Sequence, residues 1–184
     1  IIGPFGEVVH HRVMLEIMRG CLRGCRFCQA GYIYRPQRER SPERLLNIAD
    51  HLLSCSGFDE ISLSSLSSSD FSGLRKLTDG LLDMTEEKKI GLSLPSLRID
   101  NFSLELMEKV QKVRKTGITF APEAGTQRLR DVINKNITEE NILGSTKLLF
   151  EGGWTNVKLY FMIGLPTETE EDVKGIAELA QREL

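Results

Sequence analysis

Short apolar runs alternate with longer segments whose apolar residues recur at helical spacing, a pattern that predicts a succession of strands and helices. Residues 13–18 (VMLEIM) read as a strand. Ser41-Pro42-Glu43 then supplies a capping hydroxyl, a proline suited to the first helical position and an acid in the first turn. Leu45, Leu46, Ile48, Ala49, Leu52 and Leu53 give the helix that follows one apolar face, and Gly57 ends it. A second strand is predicted over 60–63 and a polar loop over 64–69, with Asp70 capping a helix to Lys89. A strand over 91–94, a helix over 103–113 and a strand over 117–120 come next. Helices near 127–134 and 138–151 precede the clearest strand, 156–163 (NVKLYFMI), which glycines and a Gly-Leu-Pro turn bound. The acids of Thr169-Glu170-Glu171-Asp172 suit the start of a last helix.

This alternation predicts an α/β fold: a parallel sheet with helices packed on it, five or so βα units forming an open or partial barrel. Ligands of such sheets sit at the carboxyl ends of the strands. The serine-rich stretch 62–70 is too short to be a linker, and no internal repeat competes with this reading. A length of 184 residues predicts one domain with a real core. Apolar residues at 40% and charged residues at 27% are ordinary for a soluble protein. No apolar run approaches the ~20 residues that span a bilayer, and the first residues lack the basic and small-residue marks of a signal peptide. The start at Ile1 and the charged helical end lead us to expect a core fragment, 1–184, with flanking domains outside it.

Composition alone does not name a chemistry; the cysteines do. Three of the four lie within CLRGCRFC, directly after the first strand. Such clustering points to metal ligation in a reducing, cytoplasmic compartment rather than to a disulfide scaffold. Cys21, Cys25 and Cys28 follow a C-x3-C-x2-C spacing. Three thiolates on one loop can bind three irons of a 4Fe–4S cubane and leave the fourth without a protein ligand, open to a cofactor. Gly20 and Gly24 let the loop wrap closely, and Arg23 and Arg26 offset the anionic core. A structural zinc site would need a fourth ligand, for which His10, His11, His51 and Cys55 are the candidates, but none forms a second paired motif.

The CxxxCxxC loop, with aromatic Phe27 just before the last cysteine, resembles the signature of radical S-adenosylmethionine enzymes. The longer text resembles most the cobalamin-binding radical S-adenosylmethionine proteins of largely unassigned function, and more distantly the methylthiotransferases. The segments that carry this are EIMRGCLRGCRFCQAGYIYRPQRERSPE, DEISLSSLSSSD, LSLPSLRID, TFAPEAGTQRLRDVINKNITEE and MIGLPTETEEDV. The resemblance implies a partial (β/α) barrel and a site-differentiated 4Fe–4S cluster. That cluster would reductively cleave S-adenosylmethionine to a 5′-deoxyadenosyl radical, for methyl or methylthio transfer with cobalamin. It implies that Phe27 packs near the adenine. Ser64 and Ser65 stand where the superfamily often has Gly-Gly-Glu to bind the methionine amino group. Arg98 becomes a partner for the carboxylate and Glu123 an acceptor for the ribose hydroxyls. The resemblance also implies that Met162, Ile163 and Gly164 cradle the adenine, and Glu168 is expected to cap the loop behind them. No cobalamin motif is visible, so that domain is expected upstream of Ile1, and an electron donor such as flavodoxin or ferredoxin is an implied partner.

Arg19, Arg23, Arg26, Arg35, Arg38 and Arg40, with Tyr32 and Tyr34 among them, make the cysteine region basic and opposed only by Glu39. Such a mix suits an RNA substrate, with a protein substrate as the alternative, while lining the mouth of a cluster site or docking a flanking domain is the plainer use. Two other functions stay open. One is a zinc-stabilised nucleic-acid-binding module using this loop; the other is a non-catalytic Fe–S scaffold with Cys55 as a fourth ligand.

Overall fold

The computed structural model describes residues 11–101, 103–111 and 117–182. It divides into two compact units, one within Ile1–Arg19, Gln37–Ser96 and Glu105–Thr116, the other within Gly20–Pro36, Leu97–Leu104 and Gly117–Leu184.

Three parallel strands form the first unit's sheet, in the order β1 (Val13–Glu16), β4 (Glu60–Ser64), β5 (Gly91–Ser93). Val13 lies opposite Ile61 and Glu60 opposite Gly91. Ile61, Leu63 and Leu92 are buried with Val13 and Leu15. The predicted strand 13–18 stops at Glu16 because Ile17 changes partners. Its N–H donates to the Ser64 carbonyl, and its own carbonyl accepts from Arg40. Beyond it, β2 (Met18–Arg19) pairs antiparallel with β3 (Arg38–Glu39). Two-residue strands carry no readable period, so this antiparallel exception to the parallel rule left no mark in the pattern.

Helix α2 (Pro42–Ser56) follows its sequence signals at both ends. Ser41 accepts the Arg44 N–H, and Gly57 adopts φ 68°, the left-handed stop. Leu45, Ala49 and Leu53, one turn apart, are its buried stripe. Asp70 is not the cap of the next helix. It lies in a 3-10 turn, Ser68–Asp70, whose backbone is tied by Ser68 N–H to Ser96, and α3 (Leu74–Thr85) starts only after Gly73. On α4 (Leu104–Gln111), Glu105 and Lys109 pair with Arg75 and Asp79 of α3 at 2.7 and 3.0 Å. Residues 112 and 113 of the helix predicted over 103–113 lie outside the described residues.

The second unit is built on β6 (Ile118–Glu123) and β7 (Val157–Phe161), a parallel pair with Ile118 opposite Val157. The register slips between Phe120 and Glu123, which turns the end of β6 away from a regular strand. Short α1 (Ala30–Ile33), α5 (Gln127–Val132), α6 (Glu139–Glu151) and α7 (Glu170–Arg182) complete it. Thr138 and Asn141 close a capping box at the start of α6. The strand predicted over 156–163 is shorter and less buried than its apolar run suggests, with Tyr160 half exposed. Helix α7 crosses the exit of β6 at backbone distance: a Cβ on Gly125 would stand 2.3 Å from the Ile176 nitrogen. Among the described residues no helix is long and apolar enough to cross a membrane.

Candidate functional site

The three clustered cysteines, Phe27, Arg98, Glu123, Met162, Ile163 and Gly164 all fall in the second unit. The cysteine loop starts at Gly20, which takes φ 88°. Cys21, Cys25 and Cys28 are free thiols, Cys25 buried and the other two partly exposed. The Arg23 N–H points at Cys21 Sγ at 3.4 Å, and Cys28 N–H closes a turn on the Cys25 carbonyl. Gly31 of α1 must lack a side chain, since a Cβ would meet the Arg23 carbonyl oxygen at 2.7 Å.

Beneath the loop lies the turn after α5. The Arg26 N–H donates to the Ile133 carbonyl at 2.8 Å, its guanidinium donates to the Val132 carbonyl, and Asn134 Nδ2 donates to the Gly24 carbonyl at 2.8 Å. Phe27 packs on Ala124, Leu129, Ile133 and Leu165, with Met162 against the same cluster. Lys135 Nζ stands 5.8 Å from the Phe27 ring centre and 3.0 Å from Glu123 Oε1. The Lys135 and Glu123 side chains are only 11% and 16% exposed, so this ion pair is largely shielded from water. Glu123 ends β6 at φ 70°, a conformation uncommon outside glycine, and its carbonyl accepts the Met162 N–H at 2.8 Å. The two strand ends are thereby joined where Phe27 meets them.

Arg98 is held in a forked pair with Asp100, at 2.8 and 3.1 Å, and donates to the Lys135 carbonyl; Arg23 reaches the same carboxylate at 3.3 Å. Gly164 takes φ 90° and gives its N–H to Glu168 Oε2 at 2.6 Å, so Glu168 does cap this loop. Ile163, beside it, is 73% exposed. Under the β6 exit, Arg130 is fully buried and donates to the Ala124 and Gly125 carbonyls at 3.0 Å each, its pKa pushed down by burial. Asp172 binds Thr126, Arg128 and Thr169. Burial opposes its ionisation, but hydrogen bonds from those three outweigh burial and hold the carboxyl well below the usual range.

Ser64 and Ser65 belong to the first unit. The Ser64 carbonyl accepts from Ile17, and the Ser65 hydroxyl meets that of Ser68 at 3.0 Å, which in turn donates to the Pro95 carbonyl. Cys55 lies on α2 in that unit, exposed, 3.8 Å from His51 Nδ1. His11 sets its ring edge-on to Phe58, and His10 lies outside the described residues.

The arginines near the cysteines are used more than their sequence suggests. Arg19 and Arg40 both pair with Glu16, Arg23 with Asp100, and Arg35 donates to the Leu22 and Arg23 carbonyls. Glu39 is therefore not their only opponent. Tyr32 and Tyr34 remain exposed.

In kind, this donor set fits an iron–sulfur cubane: three free thiols on one loop, an N–H aimed at one sulfur, and no disulfide among them. Among the described residues no group of three or more His, Cys, Asp or Glu side chains is arranged to hold a metal ion. Asn134 and Lys135 went unnoticed in the sequence, whereas Asp100 is the bridging partner that the sequence offers Arg98 as the alternative to a ligand. Asn-Lys-Asn behind a helical pattern is a stop signal, but its contact with a loop 110 residues away is tertiary.

An uncharacterized protein of Methanocaldococcus jannaschii is 38% identical over 180 residues, spanning 98% of this chain and 38% of the relative. A tRNA-2-methylthio-N(6)-dimethylallyladenosine synthase of Protochlamydia amoebophila is 29% identical over 175 residues, covering 88% and 38%. The chain thus spans less than two-fifths of these relatives' length. Among solved structures, the radical S-adenosylmethionine methyltransferase TsrM from Kitasatospora setae, with cobalamin and a [4Fe-4S] cluster bound, superposes with a TM-score of 0.73. The identity is 13%, over 93% of this chain and 34% of that one, a likeness of fold. Residues 15–180 match the Radical SAM superfamily, and the chain belongs to that superfamily.

Proposed function

We propose that this chain is the cluster- and S-adenosylmethionine-binding part of a radical S-adenosylmethionine enzyme that transfers a methyl or methylthio group with the help of cobalamin. The observation that carries the reading is that the three-thiol loop, tied to the turn after α5, sets Phe27 on the same apolar cluster as Met162, with Lys135 reaching both the Phe27 ring and Glu123 at the end of β6. Cys21, Cys25 and Cys28 are the ligands of a 4Fe–4S cluster in this reading. The chemistry that a bound cluster supplies is one-electron reduction of the sulfonium, releasing methionine and a 5′-deoxyadenosyl radical.

The chain's own residues bind and orient. Phe27 and Met162 offer an apolar wall to the adenine and exclude water from it. Glu123 accepts from the ribose hydroxyls while Lys135 keeps its charge compensated. Arg98 receives the methionine carboxylate by exchanging part of its fork with Asp100. Ile163 and Gly164 close the adenine side, Ile163 covering the base only once it is bound.

Cobalamin and the electron donor belong to domains or proteins beyond this chain, and the TsrM likeness supports the first. The test is chemical. The anaerobically reconstituted chain, reduced with dithionite, is expected to release 5′-deoxyadenosine from S-adenosylmethionine, and each of Cys21→Ala, Cys25→Ala and Cys28→Ala to release none. Uptake of one zinc in place of iron, with salt-dependent RNA binding, would instead favour the nucleic-acid module.

A further inference from the structure

The turn after α5 places two asparagines in the left-handed region, Asn134 at φ 54° and Asn136 at φ 52°. One such residue suffices to stop a helix. Two within three residues hold the backbone in a costly shape, which persists only when its surroundings fix it. What the turn presents is specific. The Ile133 carbonyl takes the Arg26 N–H, and the Asn134 amide donates to the Gly24 carbonyl, both at 2.8 Å. Gly24 and Arg26 flank Cys25, the buried one of the three thiols. The approach leaves no space for a side chain, since a Cβ on Gly24 would stand 2.9 Å from Asn134 Nδ2. Asn134 itself is half-buried and lies in the same compact unit as the loop.

We propose that Asn134 is a positioning residue for the cysteine loop. Its amide and the Ile133 carbonyl grip the backbone on either side of Cys25 and set that thiol's place before any metal arrives. Gly24 is the matching half of the device, because only glycine allows the amide to come so close. The importance of the thiol's place rests on the function proposed above; the grip itself does not, and it is testable in metal-free protein.

Asn134→Gly is the cleanest variant, since glycine keeps the left-handed turn and removes only the donor. In the metal-free chain the Arg26 amide is expected to exchange with solvent roughly three- to tenfold faster, the loss of one hydrogen bond. Asn134→Asp, of the same shape but with oxygen facing oxygen, is expected to exchange at least as fast. Gly24→Ala forces the amide away, and in the double variant with Asn134→Gly the methyl meets no amide, so the two effects fall short of their sum. After anaerobic addition of iron and sulfide, Asn134→Gly is expected to hold at most about half the iron of the parent, in line with an Arg26 amide opened roughly three- to tenfold. Unchanged Arg26 exchange in both Asn134 variants, or additive effects in the cycle, overturns the grip. Faster exchange with undiminished iron overturns the positioning role. A parent chain that takes up no iron overturns the proposed function and the positioning role with it, while the exchange result still decides the contact.

Discussion

Replacing Lys135 by methionine keeps most of the side chain's length and removes its charge. Glu123 Oε1 then loses a partner 3.0 Å away in a site where both side chains are more than four-fifths buried. Removing one member of a buried pair costs about 3–5 kcal/mol. The 16% of Glu123 that water still reaches lowers this to about 2 kcal/mol. Loss of the ammonium over Phe27 adds about 0.5 kcal/mol. For a chain of this size each kcal/mol shifts the melting temperature by about 2–4 °C, so Lys135→Met is expected to melt about 5–10 °C lower. The assay is intrinsic fluorescence during heating. Trp154 is the chain's one tryptophan, buried and in the same unit as the pair. Glu123→Gln combined with Lys135→Met removes both charges and is expected to recover most of the loss, because no buried charge is left alone. A single variant that melts within about 1 °C of the parent, or a double variant whose loss equals the sum of the singles, would mean that Glu123 and Lys135 do not act as a buried pair.

Asp172 sets the acid limit of the second unit. Its folded pKa is depressed, so its stabilisation is fully present above the unfolded value of about 3.9 and is lost as pH falls through the folded one. Stability is expected to drop below about pH 4, and Asp172→Asn, less stable at neutral pH, to flatten that limb; an acid limb of unchanged slope contradicts this. Gly125→Ala would push a methyl into the Ile176 nitrogen and the Asp172 carbonyl, both backbone and neither able to rotate away. A loss of about 2 kcal/mol or more is expected in chemical denaturation, and an alanine accepted without loss would mean that α7 does not cross there.

Features written locally were legible, and features written across the chain were not. Ser41, Pro42 and Gly57 bound α2 where they stand because capping and left-handed stops act within a few residues. Asp70 had the same local credentials but lost to the tie between Ser68 and Ser96, a contact between segments that no window spans. The cysteine spacing, Phe27, Glu123 and Met162 were legible as a set because they follow strands, and three of them do meet in one cluster with Lys135. Arg98 was legible as a cation at a strand end. Its fork with Asp100, two residues on, is its partner in this structure. Asn134 and Lys135 were not legible, because their partners Gly24 and Glu123 are chosen by how β6, α5 and the cysteine loop stack.

The proposed function depends on Cys21, Cys25 and Cys28 holding a cluster with one iron open to S-adenosylmethionine. It is tested most directly by the electron paramagnetic resonance spectrum of the anaerobically reconstituted, reduced chain, recorded with and without S-adenosylmethionine. A cubane signal whose g-values shift when S-adenosylmethionine is added is the expected result. A cubane signal that ignores it would contradict the open iron and favour a non-catalytic scaffold, and a chain with no cluster signal would contradict the ligand assignment itself.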